Sequence, residues 1–237
     1  MYKIGITERG DAGLHLEWVN KISLVEFAIL ITKNPNDSFI KQVLQYKNKV
    51  IVHSTCTGFA GTLLEPNVPS VDYIHNQLEK LIEQKFPANQ IVLRIDPVIP
   101  TEKGIEVVND VLVQFQDLGI KRIRFSFLDF YPHVKERFRK SGLPIPYNTL
   151  PTKQMYQNFQ NLINKWDSVY SFESCAEDIG IRQGCISNKD AIILGKDAKM
   201  IKGSANQRAK CLCPANKFEM LSHKGQCYHR CLYCYWY

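Results

Sequence analysis

The chain has 237 residues, 45% of them hydrophobic and 22% charged, with a formal charge of +7 at neutral pH. A chain of that size buries a sizeable core without staples, and no stretch approaches the roughly 20 apolar residues of a membrane span, so a disulfide-stapled miniprotein and a membrane protein are both disfavoured. The charge is modest for the length; it favours anionic partners, phosphates or nucleic acid, without naming one.

The opening Met-Tyr-Lys-Ile-Gly-Ile lacks the apolar region and cleavage site of a signal peptide, so a cytoplasmic location is expected. Six short apolar runs then follow along the chain: Lys3–Thr7, Phe27–Thr32, Val50–Thr55, Ile91–Asp96, Ile123–Leu128 and Val169–Ser174. They are nearly continuous rather than alternating, as strands buried on both faces of a parallel sheet are. Helical periodicity fills several gaps between them. Ser70–Phe86 carries Ile74, Leu78, Leu81 and Ile82 on one stripe behind Ser70 as N-cap; Gly104–Leu118 and Thr152–Trp166 repeat the pattern.

Strand and helix thus alternate for about 175 residues, which implies right-handed crossovers. No glycine-rich phosphate loop follows any strand, so a nucleotide-binding doubly wound sheet is disfavoured. The expected architecture is a six-stranded parallel (β/α)6 partial TIM-type barrel over residues 1–195. A cysteine-rich, metal-binding extension over residues 196–237 is expected to pack on the barrel mouth as part of one compact unit.

In such a barrel the residues after each strand build the site. These are Thr7-Glu8-Arg9-Gly10-Asp11, Lys33-Asn34-Pro35, Ser54-Thr55-Cys56-Thr57-Gly58, Arg94 and Asp96 before Pro97, Ser126 and Asp129 before Tyr131-Pro132, and Glu173, Cys175 and Glu177. Arg94 and Asp96 stand out, because they share one face of an otherwise apolar strand and need each other or a ligand there.

Eight cysteines occur, five of them between Cys211 and Cys234. In a reducing compartment such crowding indicates metal ligands or catalytic thiols rather than disulfides. Cys227, Cys231 and Cys234 form a C-x3-C-x2-C motif, the spacing at which three thiolates hold a [4Fe-4S] cluster and leave one iron open. Zinc completed by Cys213, His223 or His229 is the competing reading. Cys175, Cys185, Cys211 and Cys213 are candidates for a second site, either an auxiliary cluster or tetrahedral zinc. Tyr235, Trp236 and Tyr237 either pack the tail onto the body or stack on a planar ring.

The terminal motif with Tyr233 resembles that of the radical S-adenosylmethionine superfamily, whose members are partial or full β/α barrels. The whole chain is similar to a bacterial and phage domain family of unknown function. The matching segments are Thr32-Lys-Asn-Pro35, Thr57-Gly58, Glu65-Pro-Asn-Val-Pro69, Arg94-Ile-Asp96-Pro97, Ser126-Phe-Leu-Asp129-Phe-Tyr131-Pro132, Cys175-Ala-Glu177, Gly184-Cys185-Ile186, Gln207-Arg208, Cys211-x-Cys213 and the terminal cysteines. The resemblance implies a radical-type barrel whose cluster loop lies at the C-terminus instead of after the first strand. It also implies an enzyme that cleaves S-adenosylmethionine to a 5′-deoxyadenosyl radical, drawing on an electron donor, and abstracts hydrogen from an unknown substrate, nucleotides and nucleic acids among the candidates. Expected catalytic residues are Lys33, Arg94, Asp96, Asp129 and Glu177; expected cofactor contacts are Asn34, Thr55, Thr57 and Tyr233. No glycine-glycine-glutamate segment for the methionine amine follows any strand.

A second class competes: a nucleic-acid-binding or structural protein whose tail holds zinc or a non-catalytic cluster. Its phosphate contacts would be Lys121, Arg122 and Arg124, the group Lys135, Arg137, Arg139 and Lys140, and the run from Lys196 to Lys210.

Overall fold

Each of the six apolar runs forms a strand in the computed structural model, which describes residues 2–205, 211–222 and 227–236. They are β1 (Ile4–Ile6), β2 (Ala28–Thr32), β3 (Val50–Thr55), β4 (Ile91–Val98), β5 (Arg122–Phe127) and β6 (Ser171–Ser174). Two further strands, β7 (Ile181–Arg182) and β8 (Lys217–Glu219), were not legible in the sequence, so the expected six strands become eight. Both are too short and too polar to show a period of two; pairing to a neighbour makes them strands.

The helices are α1 (Trp18–Lys21), α2 (Asp37–Gln45), α3 (Val71–Glu83), α4 (Glu102–Phe115), α5 (Pro132–Lys140), α6 (Lys153–Trp166) and α7 (Asn188–Ile193). The expected N-cap is present, with Ser70 accepting from Tyr73 N at 3.2 Å. Thr101 and Thr152 cap α4 and α6 in the same way. Helix α5 escaped the sequence reading because it buries only Val134 and Phe138 among basic residues.

All pairings are parallel, in the order β7-β6-β5-β4-β3-β2-β1-β8. Strand β8, last in the chain, therefore lies against β1 at one edge. Among the described residues no ladder joins β7 to β8, and the sheet is open.

Side-chain alternation gives the sheet two different faces. Leu30, Val52, Leu93, Ile95, Ile123 and Phe125 point to the helices and form one core with Phe39, Leu78, Leu112 and Phe159. On the other face Ile4, Ile6, Ile29, Ile51 and Val92 pack on Ile186 and Ala191 of the segment around α7. The same face turns polar toward β4, β5 and β6, where alternation places Arg94, Asp96, Arg122, Arg124, Ser126 and Glu173. A third apolar cluster joins Phe130, Val134, Phe138 and Tyr147 to Cys231 and Tyr233, and docks the C-terminal segment on the body. No helix of the described residues is long and apolar enough to cross a membrane.

Candidate metal centre

Asp11, just past β1, organises the mouth of the sheet. One carboxylate oxygen accepts from Gly13 N (2.8 Å), Leu14 N (3.3 Å) and the Thr32 hydroxyl (2.6 Å). The other accepts from Lys33 N (2.7 Å) and lies 2.8 Å from His229 Nε2. Gly13 permits the approach, because a Cβ there would stand 1.9 Å from the Asn34 carbonyl oxygen. Burial works against the ionised Asp11 carboxyl, but His229, the Lys33 amide and Thr32 outweigh it and hold it below the usual carboxylate range.

Through His229, Asp11 grips the loop that carries the terminal cysteines. His229 Nδ1 faces the Asn67 carbonyl at 3.1 Å, so both ring nitrogens meet acceptors and neither is available to a metal; the zinc alternative through His229 is corrected. His223 and Tyr237 lie outside the described residues. Arg137 donates to the carbonyls of Leu232 (2.7 Å) and Cys234 (2.5 Å), Leu232 N donates to Leu64 O (2.9 Å), and Asn67 donates to Tyr228 O (2.8 Å). Arg230 adopts a left-handed φ of 49° inside the loop.

Asp11→Ala is expected to cost about 3 kcal/mol and to open residues 227–236 to proteolysis, since several buried donors lose their acceptor at once. Thermal unfolding and protease mapping read the two effects. Because the folded carboxyl titrates below its ordinary 3.8, this contribution is present above pH 4 and is lost as pH falls through the folded value.

Lys33 extends over the same loop. Its ammonium donates to Glu65 (2.6 Å) and to the Tyr233 hydroxyl (3.0 Å), and Tyr233 in turn donates to Glu65. Burial opposes the charge, but the Glu65 carboxylate and the Cys231 sulfur beside it raise the Lys33 pKa above its usual value. Arg94 pairs with Asp96 through Nε at 2.9 Å, and Asp96 accepts from Ser126 at 2.5 Å. The expected Arg94–Asp96 pair is thus formed.

Two adjoining cavities occupy the mouth. One, of about 200 Å³, is lined by Lys33, Thr55, Arg94, Asp96, Tyr233 and all three terminal cysteines. The other, of about 320 Å³, is lined by Cys175, Cys185, Cys211 and Cys213 with Arg124 and Ser126. Glu8, Ile31, Arg94, Asp96, Tyr235 and Trp236 line both. Trp236 stacks under Arg9 at 5.8 Å, and Tyr235 sits edge-on to Tyr131 at 5.3 Å, so these aromatics form walls of the mouth.

Burial pushes the Cys227 thiol up to about 11 and the Cys231 thiol up to about 12, the latter against the pull of Lys33. A bound cation would reverse that preference, since its charge favours the thiolate. In the second cavity Cys213 is raised by its hydrogen bonds to Cys175 and Cys185, and the Cys185 thiol is lowered by its bond with Cys213 and by Arg94 and Arg124, against burial. No disulfide joins any of the eight cysteines. Cys175, Cys211 and Cys213 bring their sulfur atoms within 4.8 Å of one another, and Glu8, Cys185 and Cys213 do the same with their ligand atoms. These groups can hold a metal ion.

Several expected residues lie off both cavities. Asn34, Thr57 and Asp129 line neither, and Asp129 donates its backbone N–H to the Tyr235 hydroxyl at 3.2 Å. Glu177 accepts from Phe127 N (3.1 Å) and the Tyr156 hydroxyl (3.1 Å), which makes it a brace of the β5 end. Conversely, Asp11, Glu65, His229 and Ser126 enter the site without having been expected as catalytic or cofactor contacts, although Asp11 and Ser126 stood among the strand-end residues, His229 among the zinc candidates and Glu65 in a matching segment.

The basic groups read as phosphate contacts divide sharply. Arg122 and Arg124 are 3% and 2% exposed and paired with Glu173, so they cannot follow a backbone. Arg137 holds the cysteine loop, while Arg139 and Lys140 face solvent near Glu136. Residues 206–210 of the last basic run, Gln207 and Arg208 included, lie outside the described residues.

Fold and site together define a parallel α/β protein with a cysteine-rich mouth suited to metal binding. The chain belongs to the family described as Domain of unknown function (DUF1848), whose model matches residues 14–236. No curated protein matches it.

Proposed function

We propose that the chain is an iron–sulfur enzyme of the radical S-adenosylmethionine type, built on a partial β/α barrel. The observation that carries this reading is the place of β8. It is last in sequence but lies against β1 at one edge of the sheet, and the Cys227-x3-Cys231-x2-Cys234 loop follows it. The superfamily carries its cluster loop after the first strand; in spatial order β8 is the first strand here, so the chain reads as a circular rearrangement of that plan.

The residues present suit the group. Cys227, Cys231 and Cys234 line one cavity, and among the described residues no fourth cysteine does. Cys56 packs instead into the apolar core. Arg94, Asp96 and Lys33 line the same cavity and would be available to a molecule bound beside the cluster. When bound, the cluster supplies one electron that cleaves the sulfonium of S-adenosylmethionine, giving methionine and a 5′-deoxyadenosyl radical that takes hydrogen from a substrate.

The chain's own residues have distinct tasks in this reading. Asp11, His229 and Arg137 hold the loop rigid. Tyr235 and Trp236 limit access of water to the mouth. Arg94 and Asp96 offer one positive and one negative group to the polar ends of a cosubstrate, on the boundary between the two cavities.

The test is anaerobic purification followed by iron, sulfide and zinc analysis, then addition of S-adenosylmethionine and a strong reductant. A brown protein that releases 5′-deoxyadenosine is expected; colourless protein carrying zinc alone would overturn the reading. Arg94→Ala is expected to keep the iron and lose most 5′-deoxyadenosine formation, because it removes a polar contact at the mouth but no thiol. Iron analysis beside product assay separates the two.

A further inference from the structure

The second set of cysteines comes from parts of the chain that the sheet does not tie together. Cys175 follows β6, Cys185 follows β7, and Cys211 and Cys213 precede β8. Strands β7 and β8 are the two edges of the open sheet, so these thiols gather across its opening.

The gathering is close and built into the backbone. Cys175, Cys211 and Cys213 have their sulfurs within 4.8 Å of one another, and Cys185 is within that distance of Cys213. Leu212 N donates to Cys175 Sγ at 3.2 Å and Cys213 N to Cys211 Sγ at 3.5 Å, an arrangement that favours charged sulfur, since N–H groups bond more strongly to an anionic acceptor. Gly184 lies against the chain between Cys211 and Cys213; a Cβ there would meet the Leu212 carbonyl oxygen at 2.6 Å. Arg94 and Arg124 line the same cavity and supply positive charge beside Cys185.

We propose that Cys175, Cys185, Cys211 and Cys213 bind one thiophilic divalent cation of the zinc class, as a closed tetrathiolate site that staples the open side of the sheet. Spacing separates this from a second cluster. Tetrahedral bonds of about 2.3 Å place sulfur ligands about 3.8 Å apart; the Cys175, Cys211 and Cys213 sulfurs lie within 4.8 Å of one another and Cys185 within 4.8 Å of Cys213, whereas a four-iron body spreads its thiolates more widely. Glu8, although close, is held by Lys217 at 2.6 Å and remains outside the ligand set. With four protein ligands no position is open for chemistry, so the role is structural.

The experiment needs no radical activity. The full chain carrying C227S/C231S/C234S, which leaves this set and the core thiol Cys56, is produced in zinc-supplemented medium and measured for metal content and by zinc-edge X-ray absorption. One zinc per chain with four sulfur neighbours at about 2.3 Å is expected, as is loss of that zinc in a second variant, C211S/C213S. If the latter fails to fold, chelation of zinc from the first variant, followed by circular dichroism and cobalt uptake with tetrahedral thiolate bands, reads the same site. Iron in place of zinc, oxygen or nitrogen neighbours in place of sulfur, absence of any metal, or zinc retained in C211S/C213S would overturn the proposal.

Discussion

Under the proposed iron–sulfur reading, Cys231→Ala is expected to remove iron from the terminal site and to reduce 5′-deoxyadenosine formation by more than about 100-fold. Cys231 is buried in the apolar cluster that docks the tail and lines the cavity beside Lys33. Changes in groups that merely support a metal ligand already cost 10–100-fold in affinity or activity, so removing one of the three proposed ligands should cost more. His229 is bound on both nitrogens, and Cys213 belongs to the other cavity. Cys56→Ala is the matched control, a buried thiol off the cavity wall, and should retain iron and product. Iron, sulfide and product are measured on the same anaerobic preparations. Iron retained in Cys231→Ala would place the cluster elsewhere.

The second large effect is on stability. Arg122→Ala is expected to cost about 3–5 kcal/mol, the range found when one partner is removed from a buried ion pair. Arg122 meets Glu173 with two bonds (3.0 and 3.1 Å) and Asp190 with a third (2.8 Å), and all three residues are essentially buried. Its removal leaves Asp190 without its cation. Glu173 keeps Arg124 (2.8 Å) and Lys189 (2.9 Å), which is why the loss is not larger. Melting should fall by about 6–20 °C for a chain of this length.

The network also sets an acid limit. Burial raises Glu173, but Arg122, Arg124 and Lys189 hold its carboxyl below 4.5. The pairing therefore stabilises the fold above that value and is lost as pH falls through the lower folded value. Wild type should lose stability more steeply than Arg122→Ala below pH 4.5. Lys103→Ala, which breaks an exposed pair with Glu106, should change stability by less than about 0.5 kcal/mol. A similar loss in both variants would remove the special role of the Arg122 network.

That network illustrates a misreading with a physical cause. Beside Lys121, the sequence shows Arg122 and Arg124 as two nearby cations, the usual mark of a wet surface. Alternation places both on one face of β5, and the carboxylates that justify their burial come from β6 and α7, 51 and 68 positions away. The Arg94–Asp96 pair was legible for the opposite reason: both partners sit on one strand, two residues apart, and the period of two puts them on the same side.

Local rules by themselves determined the order of six strands, three of the principal helices with the Ser70 cap, and the terminal cysteine motif. Each depends on residues within a few positions of one another, where periodicity, capping chemistry and ligand spacing act. Tertiary structure alone decided that the sheet has eight strands and stays open, that β8 lies beside β1, that Asp11 holds His229 across 218 positions, and that the two thiol sets occupy adjoining but separate cavities. The reason is pairing at long range: a two- or three-residue strand has no period of its own, and which loops share a mouth depends on strand order rather than on distance along the chain.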